Sequence, residues 1–275
     1  MKNIYISGSN GFLGKSIIGS LGPKYNFIKV DLRNNCENGI HKNELESIFL
    51  HLANNHSSVD GNLDLSKKTL EYCKYKNIKN ILLPLSFVTL HGTKTVSEFN
   101  LGYRPTYLNP YACTKLSQEK YFFNYKNGLN VKAFYLPAIL GPKSNWNEIL
   151  ENLEKEETTY FKIKDSACFN YCELNKLIIE IEQYFKNFES YPKRNIINHS
   201  QGLSLTGYLK SINRNVSIRY EGNFLKRVFF EIVFRKSLIN SFLIWLYGKF
   251  GNVKSKPKKI SAFYLKIILQ ERFID

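Results

Sequence analysis

Ile4-Tyr5-Ile6-Ser7-Gly8-Ser9-Asn10-Gly11-Phe12-Leu13-Gly14 is the stretch that decides the fold of this chain. The β-branched and aromatic residues from Asn3 to Ser7 predict a short buried strand bounded by Gly8. Phe12–Leu21 carries apolar residues at helical spacing and stops at Gly22-Pro23. Three glycines at intervals of three therefore join a strand to a helix. Gly8 suits the tight turn. Gly11 lets the backbone approach a pyrophosphate without a Cβ in the way, and Gly14 lets the helix pack close to the strand. The helix N-terminus offers free N–H groups and a positive dipole end to the phosphates. Asn10, Phe12 and Leu13 fall in the same cofactor-binding turn. The plainer alternative is a strand–turn–helix with no ligand.

Outward from this loop, strands and helices alternate. Strands are predicted at Phe27–Leu32, Ile48–Ala53, Ile78–Ser86 and Val131–Leu136, and helices at Leu63–Tyr75 and Tyr111–Tyr125. Ile78–Ser86 is the most apolar strand and the natural sheet centre. Short links between alternating elements predict an α/β fold with a doubly wound parallel sheet. From about Asn145 the pattern loosens. Helices are expected at Glu173–Phe185 and Ser204–Ile212, with strands at Asn195–Asn198 and Val216–Tyr220. The expected division is 1–158 for a dinucleotide-binding domain carrying the catalytic residues. Residues 159–275 are expected to form a smaller α+β substrate lobe.

Asp31, Arg33, Tyr111 and Lys115 give the loop chemical context. Asp31 lies 17 residues past Gly14, at the end of the second strand. A carboxylate there accepts both ribose hydroxyls, which favours NAD, while Arg33 leaves NADP open. Tyr111 and Lys115 stand one helical turn apart on one face. A phenol with a pKa near 10 is a poor acid–base group at neutral pH, and a neighbouring ammonium lowers it. Lowering it by about three pH units corresponds to roughly 4 kcal/mol. That range serves proton exchange with a carbinol.

Taken in order, Gly8-x-x-Gly11-x-x-Gly14, Asp31, His51-Leu52-Ala53, Asn62, Ile78-Lys79-Asn80, Ser86, Tyr111-x-x-x-Lys115 and Leu140-Gly141-Pro142 resemble the extended short-chain dehydrogenase/reductase superfamily. The nearest group is its NAD-dependent sugar-nucleotide epimerase/dehydratase family. The resemblance covers roughly residues 1–145. It implies that Ser86 hydrogen-bonds the substrate oxygen, that Tyr111 is the acid/base, and that Lys115 binds the nicotinamide ribose and tunes Tyr111. It places Asn62 beneath the cofactor near the active site, and Leu52, Ala53 and Pro137 along the cofactor. Counting back from Gly92 would put Phe87 in the hydroxyl slot; counting forward from Ile78 puts Ser86 there, with Thr89 as the fallback. Family dehydratases carry an Asp-Glu pair after the hydroxyl. Phe87-Val88 stands there instead, so a 4,6-dehydratase is rejected. The resemblance then implies a sugar-nucleotide 4-epimerase or keto-sugar reductase, in bacterial surface polysaccharide synthesis. Only 19 residues separate Asp31 from His51, so a strand–helix unit usual in larger members is trimmed. A catalytically degenerate dinucleotide-binding protein of the same fold is the alternative reading.

Other candidates have plainer readings beside them. Lys143 and Asn145 follow Gly141-Pro142 and either meet a substrate phosphate or cap a helix. Arg219 is a candidate clamp for a diphosphate in the second half. Cys168 and Cys172 lack the second ligand pair a structural zinc needs, so they read as buried thiols and no metal is expected.

The composition limits the remaining classes. The 275 residues hold 39 Lys+Arg and 23 Asp+Glu, a net charge of +16, and 43% are hydrophobic, which excludes a mainly disordered chain. Five cysteines make no disulfide scaffold and fit a reducing compartment. Residues 223–275 carry 11 basic and 3 acidic side chains, a net of +8. Basic residues there flank an uncharged run from Ser237 to Gly248, 12 residues long and too short to span a bilayer. This pattern suits an interfacial segment over residues 223–260 on an anionic membrane, or packing on the protein or on the second subunit of a homodimer. With no leader visible before the glycine loop, a cytoplasmic location is expected, at the inner membrane face if the tail binds there. No aromatic-basic RNA motif accompanies the charge, so nucleic acid is not an expected partner.

Overall fold

The computed structural model describes residues 1–33, 46–54, 59–90, 110–125, 128–154, 159–161, 168–200, 202–212, 218–220 and 269–270. In chain order the strands are β1 (Asn3–Ser7), β2 (Asn26–Val30), β3 (Ile48–His51), β4 (Asn80–Ser86), β5 (Asn130–Leu136), β6 (Ala138–Leu140), β7 (Thr159–Phe161), β8 (Cys168–Phe169), β9 (Tyr171–Glu173), β10 (Arg194–Ile196), β11 (Ile218–Tyr220) and β12 (Leu269–Gln270). The α-helices are α1 (Phe12–Leu21), α2 (Val59–Tyr75), α3 (Pro110–Asn124), α4 (Asn145–Glu154), α5 (Leu174–Lys186) and α6 (Leu205–Ser211).

Six strands form one parallel sheet in the order β10-β5-β4-β3-β1-β2. Side chains alternate across it with a period of two, and both faces are buried, as parallel sheets require. Ile4, Ile6, Leu82, Phe134 and Leu136 pack on one face with Ile17 and Leu21 of α1 and Leu177, Ile181 and Phe185 of α5. Tyr5, Ile81, Leu83, Val131, Ala133 and Tyr135 pack on the other with Leu70 and Cys73 of α2 and Phe122 of α3. Helices thus cover both sides of the sheet, and the doubly wound α/β expectation holds.

The chain beyond residue 158 returns to this sheet. β10 adds the sixth strand beside β5, and α5 contributes to the core under α1. Three two-stranded pairs complete the described structure: β6 with β9, β7 with β11, and β8 with β12. The loosened pattern after Asn145 hid several of these pieces. β6, β7, β8 and β9 were not read from the sequence, because two- and three-residue strands carry no periodicity to detect; the ten-residue helix α4 was not read either. Glu173 also differs from its reading: it closes β9, and α5 begins one residue later at Leu174. The tail singled out at residues 223–260 lies outside the described residues.

Candidate active site

Strand order reverses at β1: β2 lies on one side and β3 on the other, with β4 and β5 beyond. Ligands of open α/β sheets bind outside the carboxyl ends of the strands at such a switch point. Gly8 ends β1 there with φ +69°, a conformation costly for a side chain. A Cβ on Gly8 would stand 2.7 Å from the Ala53 nitrogen and from the Leu52 carbonyl carbon. The glycine therefore lets the loop close against Leu52 and Ala53. The Gly11 N–H bonds the Gly8 carbonyl at 3.0 Å. A Cβ on Gly14 would meet that same carbonyl oxygen at 2.6 Å, so the third glycine seats α1 on the loop. Gly11 is the N-cap of α1, and no side chain caps the helix. Asn10 and Gly11 are exposed, while Phe12 and Leu13 turn partly into the core. The first turn of α1 thus keeps its dipole end open to an anion.

Asp31 follows β2 and is half exposed. Its carboxylate accepts the Arg33 backbone N–H at 3.0 Å and faces the Arg33 guanidinium at 3.4 Å. The backbone hydrogen bond first, with the guanidinium's help, holds this carboxyl below its usual range. Arg33, the residue that left a 2′-phosphate open, is thus engaged by Asp31.

α3 carries Tyr111 and Lys115, both partly buried, one turn apart. Burial lowers the Lys115 ammonium to about 8. Asn62 is fully buried in α2, with its carbonyl accepting the Ser66 hydroxyl at 2.8 Å. Ser86 is the last residue of β4 and partly exposed at the sheet's carboxyl edge. Phe87 opens a 3-10 turn over Phe87–Leu90 and is buried in the core on the α2 and α3 side. Thr89 is buried and donates its hydroxyl proton to the Ser86 carbonyl at 2.7 Å. Its hydroxyl therefore serves the turn, and Ser86 presents the accessible one. Pro137 stands between β5 and β6, next to the same edge.

Of the remaining assigned residues, Lys143 and Asn145 are exposed around the start of α4, with Lys143 at φ +65°. Neither caps that helix. The cap is Ser144, whose Oγ accepts the Asn147 N–H at 3.1 Å. Arg219 lies in β11 beside β7. Cys172 is fully buried, and burial pushes its thiol up to about 12.

Three residues were not read from the sequence. Glu119 of α3, one turn past Lys115, is buried against Arg194 of β10 and Tyr135 of β5. Ser7 and Thr69 both face the Nδ1 of His51. A period-four continuation of the Tyr111–Lys115 face would have reached Glu119. The Ser7 and Thr69 contacts join residues far apart in the chain and leave no local signal.

The fold and edge residues together define a Rossmann-like, doubly wound α/β structure with a glycine loop at its switch point. Neither protein-family profiles nor curated protein sequences yield a match. Solved structures do. A UDP-glucose 4-epimerase with UDP-glucose from Thermotoga maritima matches at TM-score 0.58 and 17% identity, over 80% of this chain and 85% of that one. A GDP-L-fucose synthetase from Naegleria fowleri matches at TM-score 0.58 and 15% identity, over 92% and 98%. A UDP-glucose 4-epimerase complex with NAD from Thermus thermophilus matches at TM-score 0.55 and 15% identity, over 98% of each chain. At such identities the likeness is one of fold.

Proposed function

We propose that this protein is an NAD-dependent oxidoreductase of the extended short-chain dehydrogenase/reductase family, acting on a nucleotide sugar as a 4-epimerase or keto-sugar reductase. The observation that carries the reading is Lys115, held to about 8, one turn from Tyr111 on a helix beside the sheet's carboxyl edge. The residues at that edge fit a dinucleotide. Gly8, Gly11 and Gly14 shape a loop with no Cβ in its path, α1 directs its open N-terminus there, and Asp31 offers its carboxylate to a ribose. NAD, when bound, would accept or return a hydride at its nicotinamide. The protein's own residues do the rest. Ser86 donates a hydrogen bond to the substrate oxygen, Tyr111 gives or takes its proton, and Lys115 favours the phenolate and orients the ribose. Leu52, Ala53, Asn62 and Pro137 line the cofactor, while Lys143, Asn145 and Arg219 are the candidates for the substrate diphosphate.

The neighbours named for UDP-glucose and GDP-L-fucose chemistry support a nucleotide-sugar substrate. A role in surface polysaccharide synthesis in the cytoplasm, a homodimer, and membrane contact through residues 223–260 belong to the same reading. Tyr111→Phe tests it: turnover of a nucleotide-sugar panel falls to background while NADH binding persists. Wild-type turnover in that variant sinks the proposal. The second reading is a dinucleotide-binding protein without catalysis, favoured by the burial of Phe87 beside Ser86. NADH binding with no turnover of any panel member by the wild-type protein would select it.

A further inference from the structure

His199 follows β10, and its largely buried ring is engaged at both nitrogens. Nδ1 lies 2.9 Å from the Glu173 backbone nitrogen, and Nε2 lies 2.9 Å from Glu180 Oε1. A backbone N–H only donates, so Nδ1 is the bare, accepting nitrogen. A carboxylate only accepts, so Nε2 carries the proton. Both partners thus require the same tautomer of the neutral ring. The backbone beneath the ring is held separately. The His199 N–H bonds the Tyr171 carbonyl at 2.8 Å, the Asn198 amide donates to Asn170 Oδ1 at 2.8 Å, and the Ser200 N–H bonds Asn198 Oδ1 at 3.1 Å.

The two partners of the ring stand at different places on α5. Glu173 closes β9, is the N-cap residue of α5 and pairs in register with Leu140 of β6. The next residue of each chain segment meets its counterpart too: a Cβ on Gly141 would stand 2.7 Å from Leu174 Cβ. Gly141 therefore lets the loop after β6 close on the first turn of α5. That loop runs from a strand that starts one residue past Pro137, and it carries Lys143 and Asn145. Glu180 lies two turns along the same helix.

A second proton on the ring acts oppositely at its two ends. It must go to Nδ1, the bare nitrogen, and Nδ1–H would then face the Glu173 N–H. Two donors cannot share a 2.9 Å contact, so that bond is lost. At the other end the cation turns the Glu180 bond into a stronger, charge-assisted one. Histidine is the side chain whose ordinary titration falls between about pH 5 and 8. The charged groups that α5 and β9 present there are Glu180 and the Glu173–Lys176 pair, whose ions lie 2.8 Å apart. The other titratable neighbours are Tyr171 and Cys172 of β9, Tyr184 of α5 and Tyr191. Burial first raises all of these, so they stay uncharged while an imidazole titrates.

We propose that His199 is an acid-released pin on the loop that follows β6: the neutral ring holds Glu173 through Nδ1, and the protonated ring keeps Glu180 and lets Glu173 go. Release frees the junction where Leu174 seats Gly141, and so loosens the segment carrying Lys143 and Asn145. Its effect on turnover rests on the oxidoreductase reading above; the release itself does not.

Nitrogen and amide NMR of the full-length protein test it, through a titration from about pH 8 to about pH 5. His199→Asn assigns the ring among the five histidines. The expected neutral ring has Nε2 protonated and Nδ1 bare and hydrogen-bonded. As Nδ1 gains its proton, the Glu173 amide proton should move upfield, and the Gly141 and Lys143 amides should shift with the same midpoint. A neutral ring protonated on Nδ1 overturns the proposal. So does a ring that takes up no proton before the protein unfolds, or a Glu173 amide that stays in place while the ring titrates. In His199→Asn the amide oxygen replaces Nδ1 as acceptor and does not titrate, so the Glu173, Gly141 and Lys143 amides should lose their pH dependence. Amides that still titrate in this variant also overturn the proposal. Turnover gives a further readout. KM for the nucleotide sugar, taken as the ratio of wild-type to His199→Asn, should rise about three- to tenfold over the titration, with the ratio of kcat unchanged. A KM ratio that does not vary with pH removes the loop from the effect. If the wild-type protein turns over no nucleotide sugar, the oxidoreductase reading fails and the amide titration still decides the release.

Discussion

Arg194, on edge strand β10, holds Glu119 of helix α3 at 2.9 Å, and both side chains are largely buried. The same Glu119 oxygen accepts the Tyr135 hydroxyl at 2.6 Å, and the guanidinium lies 4.1 Å from the Phe123 ring centre. One carboxylate thus ties α3 to β5 and to a strand from the far end of the chain. Removing one partner of such a pair leaves a charge buried without compensation. Arg194→Met is expected to cost about 3–5 kcal/mol, measured by urea unfolding. Arg194→Met combined with Glu119→Leu should recover part of that loss, because the second change removes the stranded charge.

The glycine loop gives a sharper steric prediction. Gly8→Ala places a Cβ 2.7 Å from backbone atoms of residues 52 and 53, at a φ of +69°. Backbone cannot rotate out of the way as a side-chain tip can. The variant should lose about 1–3 kcal/mol from backbone strain alone and bind NADH more weakly. Thermal melting and NADH fluorescence would show both. A Gly8→Ala protein with wild-type affinity would mean that the loop is not the phosphate cradle.

Much of this was legible in the sequence for physical reasons. β1, α1 and β4 have long or strongly patterned apolar runs, and the glycine spacing fixes a turn that only glycine adopts easily. Helix α2 starts earlier than read, at Val59, because Asp60, Gly61 and Asn62 carry no apolar periodicity. The second half was harder to read. β10 is three residues long with no buried face of its own, and it joins the sheet through backbone pairing with β5. Likewise, Ser144 rather than Lys143 or Asn145 caps α4, a choice set by loop geometry that composition does not encode.

Cofactor choice should turn on Asp31 and Arg33. The carboxylate is ionised at neutral pH and would repel a 2′-phosphate, while it occupies the guanidinium that would otherwise bind one. Asp31→Ser frees Arg33. The ratio of NADP to NAD affinity is expected to rise about tenfold, read by fluorescence titration of both reduced cofactors. An unchanged ratio would show that the ribose does not reach this residue.

The two hydroxyls at the end of β4 should separate cleanly. Ser86→Ala removes the accessible hydroxyl and should lower kcat about 10²-fold or more, in the range seen when one donor to a developing charge is lost. Thr89→Val removes a bond to the Ser86 carbonyl. It should cost about 1 kcal/mol of stability and leave turnover measurable. The reverse pattern would assign the substrate hydroxyl to Thr89.

His51 also predicts how stability responds to acid. Its folded value is about 3, against 6.5 for a free imidazole. Between these values the unfolded chain takes up a proton that the folded chain refuses. Protons therefore favour unfolding in this window. Stability conferred by the neutral ring is complete above about pH 6.5 and is lost as pH falls toward 3. The slope from this one group approaches about 1.4 kcal/mol per pH unit. Comparing urea midpoints at pH 7 and pH 5 for the wild-type protein and His51→Asn isolates it, since asparagine does not titrate. The wild-type protein should lose more stability over that interval than the variant. Equal losses would mean that His51 takes up its proton without unfolding, and so that the ring is not sealed in the core as its contacts with Ser7, Thr69 and Phe122 require.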